Sequence, residues 1–172
     1  MLHNADNRRE QSMSLSDKEI RKAIRSGEFR SIPRPLKINS SGVDLRIDRD
    51  LSLPPHSSVL VASLERIELP NSLVGTLHLR SSLAREGLFA SLALVDAGFR
   101  GQLTVRLYNA GDRPVNLQRG EGFIQLSLLR LGVPATRDYS GMYQDSRGVV
   151  ASRRGKKSYN RRMESIIQGA RG

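Results

Sequence analysis

The chain has 172 residues, 38% of them hydrophobic, with no cysteine and a formal net charge of +11. This length accommodates one domain with a substantial core and is short for two. The lack of cysteine excludes disulfides and thiolate metal sites, and three scattered histidines argue against zinc hydrolases and zinc-dependent base deaminases. No apolar run approaches the ~18 residues of a membrane span and no signal-peptide core is present, so we expect a cytoplasmic protein without membrane contact.

The positive charge is concentrated at the C-terminus. Residues 153–171 contain seven basic side chains and one acid, a net charge of +6. Such a terminus usually forms a solvated tail, and an aromatic content of 5% is low for a base-stacking surface. We therefore expect residues 154–172 to form a basic tail that binds nucleic acid weakly at most. A non-catalytic nucleotide- or RNA-binding protein is the alternative.

The elements begin after a polar stretch, residues 1–14, which we interpret as a disordered extension. Ser16 and Glu19 have the spacing of a capping box, which predicts a helix over residues 17–26 that ends at Gly27. Short runs rich in Leu, Val and Ile then alternate with Pro, Gly, Asn and Asp turns, and they predict a mainly β domain over residues 15–153. Their spacing is typical of a β-sandwich or a jelly-roll-like barrel. The predicted strands are 43–47, 58–64, 75–79, 88–94, 102–108 and 123–131.

Two groupings in the first half of this domain could bind phosphate or metal. Asp44 follows the small-residue turn Ser41-Gly42, and its carboxylate could hold a water on Mg²⁺ or could simply cap the turn. Arg80-Ser81-Ser82, reinforced by Arg85, could grip a polyphosphate, because guanidinium pairs with phosphate oxygens and Ser donates single hydrogen bonds. The same residues could also form the capped N-terminus of a helix.

Two further groupings follow in the second half. Asp96 stands at the end of an apolar run before the turn glycines Gly98 and Gly101, and it looks buried. A carboxylate there could orient or deprotonate a water for a displacement at phosphorus, or could satisfy backbone amides of a hairpin. Gln125 is a polar residue in an otherwise apolar strand, so it either faces solvent or satisfies a buried partner such as a magnesium-bound water, a phosphate or a cross-strand amide.

In this order, the groupings resemble the motifs of the dUTPase and dCTP deaminase superfamily. Residues 80–85, 95–101 and 120–126 are similar to its second, third and fourth motifs. The resemblance covers about residues 16–153 and implies a distorted jelly roll that assembles as a homotrimer with active sites between subunits. Three segments are similar to the deaminase branch: the N-terminal helix, residues 41–46 and the C-terminal residues 139–153. The Gly-rich fifth motif of ordinary trimeric dUTPases is absent.

Arg106 departs from the deaminase branch. By resemblance, a glutamate that shuttles protons at cytosine C4 would stand five residues past the turn glycine Gly101, and Arg106 occupies that position. A guanidinium, with a pKa above ~12, does not relay a proton at neutral pH. The pattern resembles the archaeal-type dUTPases, which are built on the deaminase framework without this glutamate. The sequence thus predicts a dUTP diphosphatase that forms dUMP and pyrophosphate, supplies dUMP and keeps uracil out of DNA.

The resemblance also implies roles for individual residues. Asp96 would orient the attacking water and contact the deoxyribose, with Phe99 beneath the sugar. The triphosphate would be held by Arg80, Ser81, Ser82 and Arg85, and Mg²⁺ would be supported through water by Gln125 and Asp44. A lid of residues 138–153 with Tyr139 and Tyr143 would close over the nucleotide. Arg106 would donate a hydrogen bond to uracil O4. Alternatively, its side chain points outward or pairs with an acid at the interface between subunits of the trimer.

The second alternative is a dCTP deaminase or a bifunctional dCTP deaminase/dUTPase. Either activity would require another acid, such as Glu86 or Glu121, to replace the missing glutamate.

Overall fold

The structure is a computed structural model that describes residues 14–154; the predicted extension, except Ser14, and the predicted tail, except Arg154, lie outside these residues. It begins with helix α1, Asp17–Ser26, as the capping box predicts. The Ser16 amide donates to the Glu19 carboxylate at 2.9 Å, and the Glu19 amide donates to the Ser16 hydroxyl at 3.4 Å. The first of these bonds is the main reason that the pKa of Glu19 is lowered. Gly27 ends the helix with a φ of 76°.

Eleven strands and a second short helix follow within the described residues, so the fold is mainly β, as predicted. The strands are β1 (Arg30–Ile32), β2 (Lys37–Asn39), β3 (Gly42–Arg46), β4 (Leu51–Leu53), β5 (Ser58–Glu68), β6 (Leu73–Leu79), β7 (Leu88–Ala90), β8 (Leu94–Val95), β9 (Arg100–Asn109), β10 (Val115–Leu117) and β11 (Gly122–Arg130). Helix α2 comprises Ser81–Arg85. None of the helices in residues 14–154 is long and apolar enough to cross a membrane.

The strands form three sheets. A five-stranded sheet has the order β2-β3-β11-β6-β8, a four-stranded sheet has the order β1-β5-β9-β7, and β10 pairs with β4. All of the pairings within these sheets are antiparallel. Apolar side chains of both larger sheets and of α1 join one hydrophobic core. This burial is the main source of stability for such a fold.

Strand β9 positions the site because its two faces differ. Leu103, Val105 and Leu107 point into the core and are buried, whereas Gln102, Thr104 and Arg106 alternate with them on the opposite face. Successive side chains of a strand point to opposite faces, so these three polar side chains form one row.

The predicted strand 88–94 is wrong as a single element. Its first part is β7, which pairs with β9, and its end begins β8, which pairs with β6 in the other sheet. The chain therefore crosses between sheets at residues 91–93, Ser-Leu-Ala, where no Gly or Pro marks a turn. The sequence also missed β1, β2, β4 and β10, because strands of three residues are too short to show an alternation.

Candidate active site

A cavity of about 450 Å³ opens on the polar face of β9. Its walls come from β5, from residues 91–99, from β9 and from the C-terminal residues 139–152. The lining residues are Leu60, Ser91, Ala93, Leu94, Val95, Asp96, Phe99, Gln102, Leu103, Thr104, Arg106, Tyr139, Tyr143, Ser146, Val150 and Ser152. The cavity thus gathers five of the residues singled out in the sequence, namely Asp96, Phe99, Arg106, Tyr139 and Tyr143.

Asp96 is exposed at the wall of this cavity, so the expectation that it is buried is wrong. The turn that follows is tight, because the Phe99 amide donates to the Asp96 carbonyl at 3.1 Å and Gly98 has a φ of 80°. The side chain itself accepts no hydrogen bond from the described residues, so it does not serve the turn. Its carboxylate oxygens are available to a water or a ligand.

Phe99 and Tyr139 form an aromatic wall next to this carboxylate. Their ring centroids are 5.7 Å apart, and the planes are tilted by 57°. Phe99 is buried, whereas Tyr139 is half-buried and belongs to the C-terminal segment. Such a tilted pair presents a rigid apolar surface to a ligand.

Arg106 supplies the cationic side chain among the lining residues, and Asp96 supplies the carboxylate. The Arg106 Nη1 donates to the Ser58 hydroxyl at 2.9 Å. Its backbone is fixed by Ser91, whose hydroxyl accepts from the Arg106 amide at 2.9 Å and whose amide donates to the Arg106 carbonyl at 2.9 Å. Within residues 14–154 no carboxylate pairs with Arg106.

Residues 138–153, the predicted lid, lie along the polar row of β9. The Gly148 amide donates to the Gln102 side chain at 2.8 Å, and the Val150 amide donates to the Thr104 hydroxyl at 3.0 Å. Ser152, the next residue in this register, lines the cavity together with Arg106. In this structure the segment predicted to form the lid lies on the chain's own cavity.

Gln144 ties the lid to the turn that carries Asp96 and Phe99. Its side-chain amide donates to the carbonyls of Gly98 at 2.9 Å and Tyr139 at 2.8 Å. Its carbonyl accepts from the Arg100 amide at 2.8 Å. One side chain therefore fixes both ends of the turn relative to the lid.

Asp145 adds an ionic clasp beside this contact. Its carboxylate pairs with Arg100 at 3.0 Å and with Arg66 at 2.9 Å. The hydrogen bond from Arg100, followed by that from Arg66, lowers the pKa of Asp145. The carboxylate is therefore charged, and the clasp is formed, at neutral pH.

Three other predicted residues, Asp44, Arg80 and Gln125, lie in a second region. We call it the Arg80 cluster; it consists of these three residues together with Lys37 and Asn39. Asp44 is 4% exposed and pairs with Arg80 at 2.8 Å and with Lys37 at 3.3 Å. Its other oxygen accepts from Asn39 at 2.5 Å. Gln125 is half-buried and stands opposite Asp44 in the register of β11 and β3. Asp44 thus fixes Arg80 rather than merely capping a turn.

Helix α2 presents the remaining phosphate candidates next to this cluster. Ser81, Ser82 and Arg85 are exposed, and the helix starts at Ser81, but no side chain caps it. Neither these residues nor the members of the Arg80 cluster line the cavity within residues 14–154. Within residues 14–154, the two halves of the predicted site are therefore separate.

The described residues do not fit a directly coordinated magnesium ion. No group of three His, Cys, Asp or Glu side chains in residues 14–154 is arranged to hold a metal. Both oxygens of Asp44 are occupied by cations or an amide donor. Mg²⁺ prefers several oxygen ligands, including water and substrate phosphates, and the described residues offer it no ready set of such ligands.

The two acids considered as replacements for the deaminase glutamate are outside the cavity. Glu86 is exposed at the end of α2, and Glu121 is exposed and accepts from the Gln118 amide at 3.1 Å. Neither lines the cavity of its own chain.

Several residues of the candidate site were not predicted from the sequence. The row of Gln102 and Thr104 could have been found, since both alternate with apolar residues at the same period as Arg106. Ser58 and Ser91 carry no local signal, because only the pairing of β5 and the path of residues 91–93 bring them to Arg106.

Solved proteins with this arrangement define the class of the fold. EIAV dUTPase matches with a TM-score of 0.54 at 22% identity, over 66% of this chain and 98% of its own. A 2'-deoxycytidine 5'-triphosphate deaminase from Agrobacterium tumefaciens matches with a TM-score of 0.62 at 15% identity, over 70% of this chain and 49% of its own. The fold is that of the dUTPase-like jelly rolls, as predicted.

Proteins related in sequence identify the family within this fold class. A dCTP deaminase of Pyrococcus horikoshii is 39% identical over 159 residues, covering 84% of this chain and 99% of the relative. A "dCTP deaminase, dUMP-forming" of Aquifex aeolicus is 38% identical over 170 residues, covering 82% of this chain and 94% of the relative. The family model described as dCTP deaminase-like matches residues 47–131. The chain belongs to the dCTP deaminase-like family, a family of enzymes of nucleotide metabolism within the dUTPase and dCTP deaminase superfamily.

Proposed function

We infer that this chain is a dUTP diphosphatase, which hydrolyses dUTP to dUMP and pyrophosphate. One observation carries this proposal: within residues 14–154 the cavity is lined by one carboxylate, Asp96, and has Arg106 where deamination of cytosine would need a proton-relaying acid. A guanidinium stays protonated at neutral pH and accepts no proton. Hydrolysis at phosphorus requires no proton transfer at that position.

The chemistry proposed for Asp96 follows from its exposure. Its free carboxylate accepts a hydrogen bond from a water and directs the water oxygen toward the α-phosphorus. The water gives its proton to the Asp96 carboxylate as its oxygen bonds to the phosphorus, the bond to the bridging oxygen breaks, and pyrophosphate leaves. Phe99 and Tyr139 would flank the deoxyribose, and the docked lid would exclude bulk water.

The triphosphate requires several cations, whereas the cavity supplies one within residues 14–154, Arg106. Arg80, Ser81, Ser82 and Arg85 are suited to it, because guanidinium and hydroxyl groups bind phosphate oxygens. We assign them to the nucleotide bound in a neighbouring subunit of a homotrimer, with Gln125 beside them. This arrangement would bring the two separated regions together at each subunit interface.

Magnesium would accompany the nucleotide in this proposal. Its ligands would be mostly phosphate oxygens and water, as is usual for this ion, and Asp44 would act at most through water. Among proteins of this fold, a dUTPase mutant from phage phi11, at 15% identity and a TM-score of 0.54, is described as coordinating a structural Mg(II) ion. No step above depends on a protein-bound metal.

A second candidate function is deamination of dCTP, alone or coupled to dUMP formation. The names of the relatives from Pyrococcus horikoshii and Aquifex aeolicus favour it. It would require an acid from another subunit, such as Glu86 or Glu121, to reach the base beside Arg106.

The test is to incubate the purified protein with Mg²⁺ and either dUTP or dCTP, following pyrophosphate, ammonia and nucleotides in both reactions. We expect dUMP and pyrophosphate from dUTP, and no ammonia from dCTP. Ammonia from dCTP would establish the deaminase instead. No turnover, with salt-dependent RNA binding that disappears on deletion of residues 153–172, would favour a binding protein.

A further inference from the structure

Arg106 brings an uncompensated charge into the cavity. It has five N–H donors and no acceptor, and Ser58 takes one Nη1 donor. Because no carboxylate pairs with it in the described part of the chain, the other donors remain for a ligand. Arg106 is exposed, so water satisfies these donors when no ligand is bound, and a bound molecule can replace that water with an acceptor of its own.

The orientation of this side chain is fixed by its neighbours. On the pairing strand, Leu60 stands opposite Arg106 and Ser58 stands opposite Tyr108. Ser58 is therefore the diagonal neighbour of Arg106 on the same face, within reach of a long side chain. The two hydrogen bonds with Ser91 hold the Arg106 backbone. The guanidinium is thus anchored from strand β5, and the Arg106 backbone is held by the segment that leads to Asp96.

We propose that Arg106, held in place by Ser58, selects nucleotides whose base presents a carbonyl oxygen and rejects those that present an exocyclic amino group there. The inference rests on the proposed function and names its specificity determinant. Uracil offers the O4 acceptor, which matches a guanidinium N–H. Cytosine offers an amino donor, which leaves both groups without a partner. A site built around a hydrogen bond rejects such an analogue far better than an apolar pocket does.

Phosphate binding by Arg106 would predict a different result from base selection. If Arg106 bound phosphate, its removal would weaken dUTP and dCTP to the same extent, because the two nucleotides share one triphosphate. Base selection instead predicts that the ratio between the two nucleotides changes.

The experiment compares Arg106→Gln with the wild type by two readouts. One is the ratio of kcat/KM for hydrolysis of dUTP to that of dCTP; the other is the ratio of the Kd for dCMP to the Kd for dUMP, so both ratios exceed one when uracil is preferred. A Gln side chain donates and accepts, so it tolerates both bases. We expect each ratio to fall about tenfold or more in Arg106→Gln. Ser58→Ala, which only releases the guanidinium, should shift both ratios in the same direction by less. The exposed Arg113→Gln is the matched control and should change neither.

Unchanged ratios in Arg106→Gln, or equal loss for both nucleotides, would overturn the inference while leaving dUTP hydrolysis intact. Equal binding of dUMP and dCMP by the wild type would overturn it as well. If the wild type deaminates dCTP, the proposed function fails; the Kd ratio still decides the role of Arg106, because it does not depend on turnover.

Discussion

Asp44 and Asp96 are the two carboxylates of the predicted site, and their surroundings are opposite. Asp44 is buried and saturated by Arg80, Lys37 and Asn39. Asp96 is exposed at the cavity and accepts no hydrogen bond from the described residues. A buried, paired carboxylate contributes to structure, whereas an exposed, free one is available for chemistry. The comparison shows that the same residue type serves stability in one region and remains free for a ligand in the other.

The largest effect should come from Asp96→Asn. The amide keeps the shape but accepts protons poorly, so hydrolysis of dUTP should fall about 10²- to 10⁴-fold. Since the carboxylate has no partner in the turn, the free energy of unfolding should not change. Both quantities are measured by steady-state kinetics and urea unfolding, with the exposed Asp112→Asn as control. A destabilised but active Asp96→Asn would reverse the roles assigned to the two carboxylates.

The next largest effect should come from Gly98→Ala, which disturbs the lid. The lid covers the cavity and not the Arg80 cluster. A Cβ on Gly98 would lie 2.5 Å from the Asp138 Cβ and 2.6 Å from its Cα, and the φ of 80° adds strain. Gly98→Ala should therefore undock the lid, raise KM for dUTP and speed amide exchange at Gly148 and Val150.

Gly120→Ala is the matched control for that variant. Gly120 has a φ of 89° with nothing within 4 Å of the added Cβ. It should lose only about 1 kcal/mol of stability, with normal exchange in the lid. Equal exchange rates in the two variants would mean that the lid does not depend on the contact at Gly98.

A smaller effect is expected for Asp44→Asn. Loss of the charge weakens the bonds from Arg80 and Lys37, so the free energy of unfolding should fall by about 1–3 kcal/mol. Lys37 is largely exposed and should contribute the lesser share. Urea unfolding measures the loss, and Asp112→Asn again serves as control. Unchanged stability would show that the ion pairs of Asp44 are dispensable.

The smallest effect should come from the ionic clasp of Asp145. Its pKa is lowered in the folded chain, so the clasp is complete above the ordinary Asp pKa of about 4 and is lost as pH falls through the lowered value. At pH 7, Asp145→Asn should speed exchange in the lid by less than about fivefold. The difference from wild type should shrink at more acidic pH. Asp138→Asn, an exposed lid variant, should behave as wild type at every pH.

The parts of the fold that follow from local rules were predictable from sequence. The capping box predicted the bounds of α1, and Asp96, Phe99 and Arg106, which lie close together in the sequence, line one cavity. Features that depend on distant contacts were not predictable. The exposure of Asp96, the pairing of Asp44 with Arg80 and the approach of Ser58 to Arg106 all arise from strand register, which no single segment encodes.

The central claim is that the cavity and the Arg80 cluster, separated in one chain, form one site between subunits. Subunits carrying Asp96→Asn are mixed with subunits carrying Arg80→Ala, unfolded and refolded together, and assayed with dUTP. Each parent alone should be nearly inactive. If the site is shared, roughly one site in four of the mixed assembly combines an intact cavity with an intact cluster and recovers activity. Activity that stays at the sum of the two parents would contradict the account.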